Sequence, residues 1–169
     1  MADTQVTLDI GGAVSASLSL ITSVQNILTG SRSATIEIDN NTDLTLTYAG
    51  GHNSHGGWAK IPDLSIKPMS ASVLGVQNQG GSIMTGAEGL VMYGADDSSL
   101  LFSVGWDNPY IGANSGFARL GFSKAGKYMV RFFVGNGNTQ VPFRFILLPN
   151  SGSLWPQIKD ISDGGFFYG

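Results

Sequence analysis

The pattern of apolar and polar residues changes its period near residue 30. Over residues 13–28, mostly apolar side chains recur at i, i+4, i+7, i+10 or i+11, and i+14, which is the spacing of one helix face. The positions on that face are Val14, Leu18, Ile21, Val24 or the adjacent Gln25, and Leu28. Ser, Thr and Asn side chains fall mostly on the other side, and Gly30 follows as a natural C-terminal cap. The pattern predicts an amphipathic helix over residues 13–28.

From residue 34 onward the pattern alternates with a period of two, which is typical of half-buried strands. Residues 34–39 and 44–48 alternate on either side of a turn signal, the two asparagines at 40–41. Residues 49–57 are rich in Gly and His and predict a loop, and residues 166–168 predict either a last strand or an exposed tail. Other strand candidates are residues 71–77, 89–93, 99–106, 116–122, 128–134 and 141–148. Eight or more short strands predict a mainly β fold, a sandwich or a barrel.

Composition narrows the classes of partner. The 169-residue chain has 9 basic and 12 acidic side chains, a net charge of −3, 24 Gly and no Cys. Such a chain lacks the clustered Lys and Arg that neutralise phosphates, so nucleic acid is not a predicted partner. The absence of Cys excludes disulfides, Cys-ligated zinc and thiol catalysis. The length fits one domain with a sizeable core.

Residues 10–31 carry no charged side chain. This segment has two interpretations: it packs on a sheet as an amphipathic helix, or it leaves the sheet and enters a bilayer. Insertion is favoured by the lack of charge, because one central charge would cost about 2.5–3.5 kcal/mol. No run of 18 apolar residues predicts a conventional transmembrane helix, and residues 1–9 show no basic region typical of a signal peptide.

Enzymatic chemistry is the function class with the least support. His52 and His55 share one Gly-rich segment, but the nearest carboxylates, Asp43 and Asp63, lie well outside it. No metal site is therefore predicted. The sequence also lacks a Gly-x-Ser-x-Gly elbow, a Walker A loop and a dinucleotide fingerprint in its structural context. We expect no catalytic residue and no cofactor.

Two aromatic residues, Trp106 and Tyr110, are predicted where a strand ends and a turn begins. Both rings are therefore expected in a loop at one end of the sandwich. There they either cap the core or form an interfacial belt, in which amphipathic rings lie at the depth of lipid head groups.

Five short motifs occur in one order along the chain, at residues 16–19, 35–40, 66–70, 85–89 and 101–107. In this order they resemble the actinoporins, the sea-anemone pore-forming cytolysins, and their relatives. The resemblance implies a β-sandwich flanked by an N-terminal amphipathic helix, and leaves open a second short helix near residues 128–133. It implies a single domain over residues 1–169, with a mobile N-terminal segment at 1–30 and the sandwich at 31–169.

In that family the sandwich binds a phosphocholine head group, preferably of sphingomyelin, and the N-terminal helix then detaches and joins others in an oligomeric pore. The head-group contacts that the resemblance implies are Ser103, Trp106, Tyr110, Thr85, Glu88, Tyr128, Phe132 and Phe133. The last three reproduce the spacing of tyrosines on the family's second helix, although the same stretch is β-prone. Glu88 stands where the family usually has an apolar residue near the choline. A carboxylate there favours the ammonium and repels the neighbouring phosphate.

Two functions follow. The first is a secreted pore-forming cytolysin that acts at the membrane of a target cell, self-associates there, and inserts the helix face of residues 14–28. The second is a non-lytic binding module on the same fold, either a lectin or a lipid-head-group binder. In the lectin interpretation, the predicted loop at residues 49–57 and the Asn-rich turns bind sugar hydroxyls, as fungal fruit-body lectins of similar fold bind sugars.

Overall fold

A computed structural model gives residues 13–82 and 84–150 with their side chains, and the backbone of two further strands, Val6–Leu8 and Gly164–Tyr168. Two sheets pack face to face around one large apolar core. The prediction of a mainly β sandwich with an N-terminal helix is confirmed.

One sheet has six strands. In spatial order they are β13 (Gly164–Tyr168), β11 (Tyr128–Val134), β12 (Gln140–Pro149), β3 (Ser33–Asn40), β7 (Ser70–Gln77) and β5 (Gly57–Lys60). Strands β3 and β12 run parallel, and the other neighbours are antiparallel.

The second sheet has five antiparallel strands. They are β10 (Ser115–Gly121), β9 (Leu101–Asn108), β8 (Ala87–Ala95), β4 (Leu46–His55) and β6 (Ser65–Ile66). The remaining elements are β1 (Val6–Leu8) paired with β2 (Val14–Ala16), helix α1 (Leu18–Ile27) and a 3-10 turn (Ala125–Lys127).

The core forms because alternate side chains of each strand point between the sheets. Strand β8 shows this directly, since every second residue from Ala87 to Ala95 is buried. Large apolar side chains in the core include Trp106, Tyr93, Phe102, Phe143 and Phe145. This close-packed interior fixes the loops at each end of the sandwich, where binding residues are commonly found.

Residues 13–28 do not form one continuous helix, so this part of the sequence prediction is wrong. The first residues are extended and lie on the outer face of the six-stranded sheet. The backbone N–H of Val14 donates to Asn41 Oδ1 at 2.6 Å, and that of Ala16 donates to Glu37 Oε1 at 2.6 Å. Because side chains of the sheet already accept from both N–H groups, this stretch is held as a strand.

Helix α1 begins only after Ser17, whose hydroxyl caps it by accepting from the Leu20 N–H at 3.2 Å. Its 10 residues span about 15 Å at about 1.5 Å per residue, roughly half of a hydrocarbon core of about 30 Å. The helix lies close to the sheet at Gly75, where a Cβ atom would be only 2.9 Å from Val24 Cγ1. In the part of the chain that the structure describes, no helix has the length and apolarity needed to cross a membrane.

Charged side chains lie beneath β2. Arg144 Nε donates to Asp39 Oδ2 at 2.7 Å, and the same nitrogen is 3.7 Å from Glu37 Oε1. Burial raises the pKa of Asp39 well above its usual value; the nearby Glu37 charge adds to this rise and Arg144 opposes it. The N-terminal segment therefore covers polar as well as apolar surface on this sheet.

Most of residues 49–57 form strand instead of the predicted loop. Strand β4 continues through residues 49–55 and pairs with β8, with irregularities between Tyr48 and Gly50 and between Asn53 and His55. Gly56 is a bend, and Gly57 begins β5. Gly and His have little intrinsic preference for strands, so cross-strand pairing decides the structure here. Of the two features behind the lectin interpretation, the loop at residues 49–57 is therefore absent.

Two other open points are decided by pairing between strands. Residues 128–134 form strand β11, and the C-terminal aromatic residues belong to β13, which pairs with it. The asparagines at 40–41 do turn the chain, but the strands on either side lie in different sheets. Asn40 holds this crossover by donating from Nδ2 to the carbonyls of Leu44 at 2.7 Å and Lys67 at 3.0 Å.

Candidate functional site

A cleft of about 350 Å³, here called the end cleft, opens at the end of the sandwich where β4 and β9 finish and β8 begins. Its lining residues are His55, Met84, Thr85, Gly86, Glu88, Asp107, Pro109, Tyr110 and Ile111. Three of the implied head-group residues, Thr85, Glu88 and Tyr110, meet there. The cleft is therefore the candidate site that the structure supports.

A polar row crosses the outer face of the five-stranded sheet at this end. Pairing between strands aligns His55 with Glu88, Glu88 with Asp107, and Asp107 with Ser115. The Nδ1 atom of His55 lies 2.8 Å from Glu88 Oε2. Partial burial raises the pKa of Asp107, the Glu88 charge raises it further, and His55 opposes the rise. Two neighbouring carboxylates thus lie on this wall of the cleft, and His55 contacts one of them.

Tyr110 forms another wall, and its ring is already in contact with a cation. The Arg32 guanidinium carbon lies 4.8 Å from the ring centroid. Arg32 Nη2 also donates to the Tyr110 carbonyl at 3.2 Å, and the Arg32 backbone N–H donates to Asn78 Oδ1 at 3.1 Å. The tyrosine loop is therefore tied to the linker between α1 and β3.

The rim of the end cleft carries exposed apolar side chains. Ile111 is 75% exposed, Met84 is 59% exposed and Tyr110 is 40% exposed. Met84 has a φ of 60°, a left-handed conformation that is uncommon for a residue with a long side chain. A backbone held in this way at a loop tip is a frequent feature of binding sites. Exposed apolar side chains and the charged wall therefore border the same cleft.

Trp106 does not lie in a loop, so that prediction is wrong. It belongs to β9, is only 2% exposed, and contacts Trp58 edge-on at a centroid distance of 5.7 Å. It lines a smaller cavity of about 190 Å³ together with Glu88 and Asp107. Its indole N–H has no hydrogen-bond acceptor among the residues that the structure describes. Trp106 is thus a core residue, close to the charged wall of the end cleft.

Ser103 lies outside the end cleft. It is half-buried on β9, aligned with Met92 and Arg119 on the neighbouring strands. Asp107, which does line the cleft, is four residues further along the same strand, or about 13 Å away at about 3.3 Å per residue.

The three residues matched to the family's second helix are also kept apart. Tyr128 is buried at the opposite end of the sandwich and lines a separate cavity with Asn41 and Lys127. Because successive residues of a strand face opposite sides, Phe132 packs in the core and Phe133 lies on the outer face. The i, i+4, i+5 spacing would place these residues on one face of a helix only, and the chain is a strand here.

The proposed insertion residues are not equally accessible. Val14 is buried in β2, and Val24 and Leu28 are buried under α1. Ile21 is half-buried, while Leu18 is 77% exposed. The apolar face predicted from the sequence is thus used mostly for packing against the sheet.

Sequence reasoning did not assign His55, Met84, Asp107, Pro109 or Ile111, all of which line the end cleft, to head-group binding. It also missed the contact of Arg32 with the Tyr110 ring. Ile111 had a local signal, since it is an apolar residue beside Tyr110 in a turn rich in Asn, Pro and Gly. The contact between Arg32 and Tyr110 joins residues 78 positions apart, so no local pattern indicates it. Among the residues that the structure describes, no group of three or more His, Asp or Glu side chains is placed to hold a metal ion.

Comparison with known proteins supports the fold. No protein-family model and no curated protein sequence matches this chain. The lipid-binding protein Nakanori is similar in structure, with a TM-score of 0.65 and 15% identity over 75% of this chain and 76% of its own. The RahU protein, solved in complex with a TRIS molecule, has a TM-score of 0.56 and 11% identity over 72% of this chain and 97% of its own. At such low identity, these similarities establish a shared β-sandwich fold.

Proposed function

We propose that this chain is a membrane-binding protein that takes the ammonium group of a zwitterionic lipid head group into the end cleft. The observation that carries the proposal is the combination, in one small cleft, of two neighbouring carboxylates with an exposed apolar rim. Nakanori is described as a lipid-binding protein, which supports a lipid partner for this fold.

The charged wall supplies the attraction. Glu88 and Asp107 lie side by side on adjacent strands, and His55 contacts only one of them within hydrogen-bond distance. Partial burial and, after it, the Glu88 charge raise the pKa of Asp107, and a bound ammonium would relieve the repulsion between the two carboxylates. Thr85 also lines the cleft and offers a hydroxyl to the head group.

The apolar rim supplies membrane contact. Met84 and Ile111 line the same cleft that receives the head group, so both side chains would reach the boundary of the acyl chains when the cleft is filled. Complete burial of one such side chain is worth about 1.5–3 kcal/mol. The rim thereby restricts the ligand to a head group presented at a membrane surface.

Pore formation after self-association is a second candidate, favoured by the charge-free stretch at residues 10–31. Insertion would require release of β2 from Asn41 and Glu37 and growth of α1 beyond its 10 residues. Under this proposal the chain acts on the outer surface of a target-cell membrane and takes sphingomyelin among its ligands.

The test is sedimentation of the wild-type chain with vesicles of two compositions. One set contains phosphatidylethanolamine and phosphatidylcholine, and the other contains digalactosyl diacylglycerol, which is neutral and has no ammonium group. We expect the chain to pellet with the first set only. Equal binding to both sets, or preference for the galactolipid, would contradict the proposal, and the latter result would favour a lectin.

A dye trapped in the same vesicles separates the two modes of action. Dye release that accompanies binding supports the pore, whereas saturated binding without release contradicts it and leaves head-group binding intact.

A further inference from the structure

We propose that the end cleft selects a primary ammonium head group, of the ethanolamine type, over the trimethylammonium of choline. The inference rests on the proposed function and names the class of lipid that the cleft takes. It is carried by the hydrogen-bonding capacity of the charged wall and by the contact between Arg32 and Tyr110.

The charged wall offers hydrogen-bond acceptors. Ionised Glu88 and Asp107 are acceptor-only groups with four oxygen atoms between them, and His55 contacts one of those oxygens, Glu88 Oε2. A primary ammonium has three N–H donors for such oxygens, as a lysine side chain has. A trimethylammonium has no N–H donor, and its methyl groups would keep the carboxylate oxygens farther from the charged nitrogen. Charge-assisted hydrogen bonds of this kind are the stronger ones in proteins.

The end cleft offers little of the aromatic surface that binds a choline group. Recognition of quaternary ammonium groups relies on aromatic rings that surround the cation. Among the lining residues that the structure describes, Tyr110 carries the one phenol ring, and the Arg32 guanidinium lies 4.8 Å from its centroid. A second cation on this ring would meet the charge of Arg32. The ring is therefore a poor site for choline as long as Arg32 stays in place.

The test uses lipids that differ only in methylation. Vesicles of digalactosyl diacylglycerol contain the same mole fraction of a dioleoyl phospholipid whose head group is ethanolamine, N-methylethanolamine, N,N-dimethylethanolamine or choline. We expect wild-type affinity to fall with each methyl group, and by at least about tenfold over the series. Affinity for choline equal to or above that for ethanolamine would overturn the inference while leaving the proposed function intact. Binding to none of the four would overturn the proposed function.

Variants separate the contribution of the two carboxylates from that of the contact between Arg32 and Tyr110. The double variant Glu88→Gln, Asp107→Asn should weaken ethanolamine binding and so reduce the difference in affinity among the four lipids. Arg32→Gln should raise choline binding by freeing the face of the Tyr110 ring, and so lower the ratio of ethanolamine affinity to choline affinity. The matched control is Arg119→Gln, since Arg119 also lies over an aromatic ring, that of Phe117 at 5.4 Å, outside the end cleft. If the double variant keeps the wild-type affinities for the four lipids, the carboxylates do not select the head group. If Arg32→Gln keeps the wild-type ratio of ethanolamine to choline affinity, Arg32 does not contribute to the selection.

Discussion

Replacing Ile111 by aspartate should reduce binding to ethanolamine-containing vesicles by at least about tenfold. The side chain is 75% exposed in the free chain, so the fold does not depend on it. On a membrane, we expect the Ile111 side chain at the acyl boundary, where burial of an isoleucine contributes about 1.5–3 kcal/mol. A carboxylate at the same place loses this contribution and must also be desolvated. The expected result is a weaker vesicle affinity with an unchanged thermal unfolding midpoint.

The matched control for this change is Leu64→Asp. Leu64 is 76% exposed, which is nearly the exposure of Ile111, and precedes β6. Strand β6 pairs with β4 at Leu46, while the end cleft lies at the other end of β4, at His55. Vesicle affinity should be unchanged in this control. If both variants lose binding equally, or if Ile111→Asp binds like the wild type, the rim is not the membrane contact.

Replacing Trp106 by alanine should lower the free energy of unfolding by about 3–5 kcal/mol. The indole is 2% exposed and has an edge-on contact with Trp58. Its removal leaves a cavity in the core, which the surrounding strands are unable to fill completely. Urea unfolding of the wild type and the variant measures this loss. Trp106→Phe should restore most of the stability, since it refills much of the space.

Tyr110→Ala is the contrasting variant. Tyr110 is 40% exposed and its main described partner is Arg32. Its removal should change the free energy of unfolding by less than about 1 kcal/mol. Should Trp106→Ala instead keep wild-type stability and lose vesicle binding, Trp106 would be a direct head-group ligand, as the family resemblance implied.

The sequence predicted the strands well because their signal is local. Strand β12 covers the predicted residues 141–148, since alternating and β-prone side chains indicate it. The start of α1 was missed because it depends on Asn41 and Glu37, which are distant in sequence and accept the N–H groups of Val14 and Ala16. The second half of strand β4, residues 49–55, was missed because its glycines have no local preference and follow the pairing with β8.

The site was predicted only in part, for a similar reason. Thr85, Glu88 and Tyr110 lie in one cleft, as the resemblance implied that they share a function. Asp107 joins them because β8 and β9 pair in a register that aligns it with Glu88. Arg32, which precedes β3 in one sheet, contacts Tyr110, which follows β9 in the other. Register and contacts of this kind depend on the folded chain and leave no periodic signal in the sequence.

Entry of the end-cleft rim into the membrane can be measured directly with a fluorescent label. The chain contains no cysteine, so the variants Ile111→Cys and Leu64→Cys each offer one attachment point for an environment-sensitive fluorophore. On addition of ethanolamine-containing vesicles, we expect a blue shift and a rise in emission for the label at position 111, and no change for the label at position 64. A blue shift at position 64 alone, or at neither position while the labelled protein still pellets with the vesicles, would show that the rim does not enter the membrane.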